Sequence, residues 1–235
     1  MDEIYLLSHK KETGRNLADF FKSGYLVTTF YRMIPQSVTG DNLKFIFVEC
    51  SSKCVFQECF SKFLFLFRNR DVPFGLIRPI VFKISTTDLY AASILMKDRF
   101  GPDQIKILNK MKAWNKYACS SSWIVHPANP IFKIAQVQRL IVENPFPDYY
   151  LSSLAKSIRS SPSWLSAKFK DISGVSLNSF MVRIKLCHSL WQLIASDESF
   201  KSIAYGLGYH PFALSKRFAA LFKVHPSKIK YICFQ

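Results

Sequence analysis

The stretch SSPSWLSAKFKDISGVSLNSF, from Ser160 to Phe180, decides how the second half of this sequence is read. It holds one short helix between two punctuation marks. Ser161 is placed to accept the orphan amide hydrogens of a helix start, and Pro162 suits the first helical position, where its missing N–H is no loss. Leu165 and Phe169, four residues apart, face inward together. Gly174 ends the helix, and Ser176 opens the next one.

Upstream, Ile134, Val137 and Ile141, with the neighbouring Leu140, recur at three and four residues, so they form an amphipathic helix that Pro145 and Pro147 terminate. Leu151, Leu154, Ala155 and Ile158 make a second, short apolar face. Downstream, Ser176–Ala195 carries Leu177, Phe180, Ile184, Cys187, Trp191 and Ile194 on one side, and Asn178, Arg183, Lys185 and Gln192 elsewhere. The pattern then repeats at smaller scale. Residues 200–207 are helical, Gly208 turns the chain, and Pro211 starts a helix with Leu214, Phe218 and Phe222 inward. Pro226 opens a last helix through Ile232. Two short helices joined by a tight turn make a helix-turn-helix, and the arrangement occurs twice. Ala155 and Ala204 sit at the close crossings. The helix between the two units spans roughly 30 Å, near the ~34 Å of one B-DNA turn. One chain can therefore hold two reading helices against successive major-groove segments.

These residues resemble the DNA-binding domain of the AraC/XylS family over residues 131–232. The first half of the resemblance lies in Leu154-Ala155-Lys156, Ser161-Pro162-Ser163-Trp164-Leu165-Ser166, Phe169-Lys170, Gly174-Val175-Ser176, Phe180 and Arg183-Ile184-Lys185-Leu186. The second lies in Ile203-Ala204, Gly208-Tyr209, Leu214-Ser215, Phe218, Phe222 and Val224-His225-Pro226. The resemblance implies seven helices, with reading helices at Pro162–Asp171 and Pro211–Leu221. It puts base-reading positions on Ser163, Ser166, Ala167, Phe212, Ala213 and Lys216. It puts phosphate contacts on Lys168, Lys170, Arg183, Lys185, Arg217 and Lys223. The implied protein is a sequence-specific transcription regulator on double-stranded promoter DNA. It would activate a bacterial virulence, stress or niche-specific operon by contacting RNA polymerase. The chain departs from the family pattern in several places. The first reading helix offers serines and an alanine where Arg or Gln would make bidentate base contacts. The second unit is one residue short between Gly208 and Phe218, Lys223 stands where glycine is common, and Tyr150 fills a cap position usually held by Ser or Thr.

Charge points the same way. The formal net charge is +16, with 14 basic and 5 acidic residues from Ile131 onward. That surplus favours a polyanion, and taken alone it leaves nonspecific nucleic-acid binding by a partner- or ligand-sensing module as the competing reading. No apolar run reaches the ~18 residues of a membrane span, and Met1–Phe20 has no secretory pattern. The six cysteines then read as free thiols in a reducing compartment. Cytoplasm is expected, with the nucleoid when bound to DNA. Cys50, Cys54 and Cys59 offer three local metal ligands, with His9 or Cys119 at a distance; zinc wants four, and reduced thiols are expected. His126, His188, His210 and His225 form no triad, and eight glycines leave no phosphate-cradling loop. Neither an enzyme nor a cofactor is expected.

The first half reads as mixed. Tyr25–Ile34, Leu43–Glu49 and Leu76–Ile84 suit strands, with turns at Pro35-Gln36-Ser37 and Gly40-Asp41-Asn42. Phe60–Phe67 fits a buried strand or a helix turn. Gln104–Tyr117 is helical, with Ile105, Leu108 and Met111 on one side, and fits a core helix or a dimer helix. A Ser/Pro-rich segment at about 120–130 divides the chain. The class is α+β. A mixed α/β regulatory domain over 1–125 would take a protein or small-molecule effector, or pair two copies. An all-α domain over 131–235 would follow, with its first helix-turn-helix at 151–171, linker helix at 176–195 and second unit at 200–221.

Overall fold

In the computed structural model, residues 1–8, 11–31, 42–49, 72, 74–80, 89–94, 101–118 and 128–234 are described. The Cys50–Cys59 cluster, Cys119, His126, Phe60–Phe67, the Pro35–Ser37 and Gly40–Asp41 turn positions and the 119–127 segment lie outside them.

Side-chain alternation in the first strands organises the N-terminal half. The order is β1 (Glu3–Ser8), α1 (Lys11–Phe21), β2 (Leu26–Tyr31), β3 (Leu43–Glu49), β4 (Phe74–Ile80), β5 (Leu89–Ile94) and α2 (Pro102–Ala118). The strands form one sheet in the order β2-β1-β3-β4-β5. The first four are parallel and β5 runs antiparallel to β4. α1 is the crossover that parallel neighbours β1 and β2 require. Ile4, Leu6, Phe45, Phe47 and Ile77 point to one face, where they meet Leu17 and Phe21 of α1 and Ile107, Met111 and Trp114 of α2. Tyr5, Leu7, Ile46, Val48, Phe74 and Leu76 point to the other. Because both faces are covered, β1 reads as an unbroken buried run, Ile4 to Ser8. That is why no period-two signal marked it, and β1, α1 and β5 were absent from the sequence reading.

Strand Leu43–Glu49 lies where its composition put it, and Tyr25–Ile34 and Leu76–Ile84 are represented by β2 and β4. The helix at Gln104–Tyr117 is present as α2, but its inward face differs from expectation. Ile107, Met111 and Trp114 are buried, whereas Ile105 is 48% exposed. The competing apolar stripe wins because it meets Phe45 and Phe47 of the sheet.

Seven helices follow: α3 (Pro130–Glu143), α4 (Leu151–Ser157), α5 (Pro162–Ser173), α6 (Leu177–Ala195), α7 (Phe200–Gly206), α8 (Pro211–Phe222) and α9 (Pro226–Phe234). They build two cores. Ile134, Val137 and Ile141 of α3, Leu154 and Ala155 of α4, Leu165 and Phe169 of α5, and Leu177, Phe180 and Ile184 of α6 form the first. The second is not helical alone. Leu190, Trp191 and Ile194 of α6, Ile203 and Ala204 of α7, Leu214, Phe218 and Phe222 of α8, and Ile229 of α9 pack in one cluster with the second sheet face. Phe74 meets Trp191 edge-on at 6.2 Å between ring centroids. A fully buried apolar side chain of this size contributes about 1.5–3 kcal/mol, so this joint is a principal element of the fold. The chain is α+β, as its sequence implies. No described helix is long and apolar enough to cross a membrane.

Candidate nucleic-acid interface

The first expected reading helix, α5, is set by its ends. Ser161 Oγ accepts from the Trp164 amide at 3.2 Å, Pro162 holds the first turn, and Gly174 closes the helix at φ 75°. Leu165, Phe169 and Ile172 face the core, with Phe169 edge-on to Phe180 at 5.5 Å. What remains outside is Ser163, Ser166, Ala167 and Lys170, all exposed. Lys168 is partly exposed and pairs with Asp171 at 3.4 Å. Trp164 is half-buried beneath the Lys133 ammonium, 5.3 Å from the ring centroid. That ammonium also donates to Arg159 O and Ser160 Oγ. Trp164 therefore packs at the helix entrance.

The second unit repeats the plan with different chemistry. Ser199 Oγ caps α7 by accepting from the Ser202 amide at 3.1 Å, and Gly208 makes the turn at φ 76°. His210 stands at the N-cap of α8 without a side-chain bond, and Pro211 follows. Leu214, Phe218 and Phe222 are fully buried, so Phe212, Ala213, Lys216, Arg217 and Ala220 form the exposed side. α8 ends on Lys223 in the left-handed region at φ 59°, where glycine would be unstrained. Ser215 Oγ lies 2.9 Å from His225 Nε2, and His225 Nδ1 lies 2.8 Å from Ser227 Oγ. This chain of contacts ties α8 to the start of α9.

One expected phosphate contact is corrected. Lys185 is internal: its side chain is 8% exposed and donates to Asp148 Oδ1 at 3.1 Å and to the Leu207 carbonyl at 2.9 Å. An ammonium among these acceptors, 5.3 Å from the Tyr209 ring centroid, is committed inside the protein. Its place on a charged-looking helix position misled the sequence reading, because α6 is enclosed by neighbours on nearly all sides past Ile184. Asp148 was missed as a positioning residue. It directly follows the Pro145–Pro147 break, 37 positions from its partner, and no local pattern announces such a pair. Gly208 belongs to the same joint, since a Cβ there would stand 3.4 Å from Asp148 Oδ1.

Arg217, also expected at phosphate, is exposed and lies over the Tyr209 ring at 5.6 Å. Burial pushes the Tyr209 hydroxyl above its ordinary pKa, Arg217 pulls it back, and Asp148 adds to the rise. Lys170, Arg183 and Lys223 are exposed on the surface. The structure thus brings the six expected base-reading positions to the outward sides of α5 and α8. Five of the six expected phosphate contacts are at least partly exposed: Lys168, Lys170, Arg183, Arg217 and Lys223. Among the described residues no three His, Cys, Asp or Glu side chains gather as a metal site.

Residues 154–230 match the family model of a helix-turn-helix domain. They form a helix-turn-helix domain, of the AraC type that the sequence resembles. Solved structures similar to it include the C-terminal domain of AraT, a response regulator from Geobacillus stearothermophilus. The two are 23% identical over 44% of this chain and 85% of that one, with a TM-score of 0.40. A DNA-binding transcriptional dual regulator from Escherichia coli K-12 is 19% identical over 44% of this chain and 94% of that one, TM-score 0.40. ToxT from Vibrio cholerae, solved with an unsaturated fatty acid bound, is 20% identical over 58% of this chain and 48% of that one, TM-score 0.35. Among curated proteins nothing matches.

Proposed function

We propose that this protein reads a bipartite promoter site with α5 and α8 in successive major-groove segments and activates transcription through contact with RNA polymerase. The observation that carries the reading is the division of labour on both helices. Leu165, Phe169, Leu214 and Phe218 are fully buried, while Ser163, Ser166, Ala167, Phe212, Ala213 and Lys216 remain exposed on helices that also carry the exposed cations Lys170 and Arg217. A helix that keeps small and cationic side chains outward can enter the major groove and meet phosphates alongside it. The protein works in the cytoplasm, on the nucleoid when bound, at a virulence, stress or niche-specific operon of a bacterium. Its first 125 residues act as the regulatory domain, taking a protein or small-molecule effector or a second copy. Because the sheet shares a core with α6–α9, a change in the sheet would reach the second unit directly.

Site selection from random duplex DNA with the full chain, at near-physiological salt, tests this. Two short boxes about one helical turn apart are expected. Lys170→Ala should weaken all sequences alike and lower the salt slope by about 1. Salt-sensitive binding with no enriched sequence would reject the reading in favour of a partner-sensing module held to DNA by charge. That second reading draws on α5, whose expected base-reading residues Ser163, Ser166 and Ala167 are short and whose Lys168 is tied to Asp171.

A further inference from the structure

The exposed side of α8 begins with an aromatic ring. Phe212 is 75% exposed, more than any other described Phe, Trp or Tyr. It stands in the first turn, held there by Pro211, with the methyl of Ala213 beside it and that of Ala220 further along. A solvent-facing Phe gains nothing for folding, since Leu214, Phe218 and Phe222 already fill the core side of this helix.

The hydrogen-bonding inventory of this face is short. Ser215 is engaged with His225, which leaves Lys216 and Arg217 as the polar groups on the exposed side of α8 between Pro211 and Ala219. The first turn, the part of a reading helix that approaches base edges most closely, carries no side chain that can pair with an N7, an O6 or an exocyclic amine. An apolar side chain at that place finds one matching feature in the major groove, the C5-methyl of thymine. The surrounding charge selects the occupant. Lys216 and Arg217 are exposed on the next turn of the same helix, which suits a polyanion and opposes an apolar protein surface. The first unit differs in kind, because Ser163 stands in α5 where Phe212 stands in α8, and the one ring of that turn, Trp164, is half-buried under Lys133.

We infer that the second unit selects thymine by contact of the Phe212 ring with thymine C5-methyl groups, so that its half of the site is specified by methyls rather than by bidentate hydrogen bonds. The inference rests on the proposed reading of DNA by α8.

The experiment uses the full chain and the duplex it selects. Each thymine is replaced in turn by uracil, which keeps the hydrogen-bonding edge and removes only the methyl. One or two positions in the box read by α8 should then lose about fourfold in affinity each, the worth of one buried methyl. Positions in the other box should not respond. Phe212→Ala, which alters an exposed side chain, should bind thymine and uracil duplexes equally. Specific binding that ignores uracil at every position of both boxes overturns the inference and leaves the proposed function standing. Uracil sensitivity that persists in Phe212→Ala assigns the methyl contact to another residue and overturns it as well. Unchanged DNA binding with altered sedimentation of Phe212→Ala would make the ring a protein contact, against the inference. Absence of any selected sequence rejects both the inference and the function beneath it.

Discussion

Lys185 Nζ and Asp148 Oδ1, 37 positions apart in sequence, meet at 3.1 Å and join the linker helix to the loop that precedes the first unit. The same ammonium donates to the carbonyl of Leu207 at the turn of the second unit. One side chain therefore touches the entrance of one helix-turn-helix and the hinge of the other. Its effect is on their mutual orientation.

Lys185→Met separates that role from stability. A hydrogen bond from a charged group contributes about 1.5–3 kcal/mol, but replacing a buried cation by an apolar side chain of similar length recovers part of the loss. A net fall of about 1 kcal/mol is expected, or roughly 2–4 °C in Tm. Affinity for the paired site should fall while each box keeps its base preference. Selection with spacers of varied length should show a broader spacing tolerance than the parent protein. Unchanged spacing selectivity would remove Lys185 from the orientation of the units.

The joint between Phe74 and Trp191 predicts that the second unit depends on the sheet. Phe74→Ala should cost about 3–5 kcal/mol, as for a large ring lost from a packed core. Hydrogen exchange should quicken in α7–α9, which share that core, and much less in α4 and α5, which belong to the other. Equal loosening of both units would contradict the division into two cores.

Lys223 holds a left-handed conformation that costs an ordinary residue about 1 kcal/mol relative to glycine. Lys223→Gly should therefore raise Tm by roughly 2–4 °C. If the lysine also meets phosphate, the same change lowers the salt slope of DNA binding by about 1. Thermal melting and salt titration of one variant check both.

Tyr209 has its pKa raised above the ordinary 10 by burial first, with Arg217 opposing and Asp148 adding. A raised pKa in an acid means that the fold favours the neutral form. Its contribution to stability is complete below about pH 10 and is lost as pH rises through the folded value. Tyr209→Phe should then lose less stability than the parent as pH rises above about 10. Urea melts across that range give the difference, and parallel curves would deny Tyr209 a part in it.

Local pattern and tertiary placement divide this molecule cleanly. Ser161-Pro162, Gly174, Ser176, Gly208 and Pro211 set helix ends through bonds and dihedrals within a few residues, so the sequence alone determined both helix-turn-helix units and the exposed sides of α5 and α8. The AraC-type resemblance follows from those same local marks, and residues 154–230 match accordingly. β1 escaped because a strand covered on both faces shows no alternation, and the face of α2 turned on which stripe the sheet accepts. Lys185 looked like a surface cation until the fold brought Asp148, Leu207 and Tyr209 around it. Tertiary structure alone decided that the sheet and the second unit share one core, because Phe74 and Trp191 meet across more than a hundred residues of chain, and such a contact leaves no trace in the periodicity of either segment.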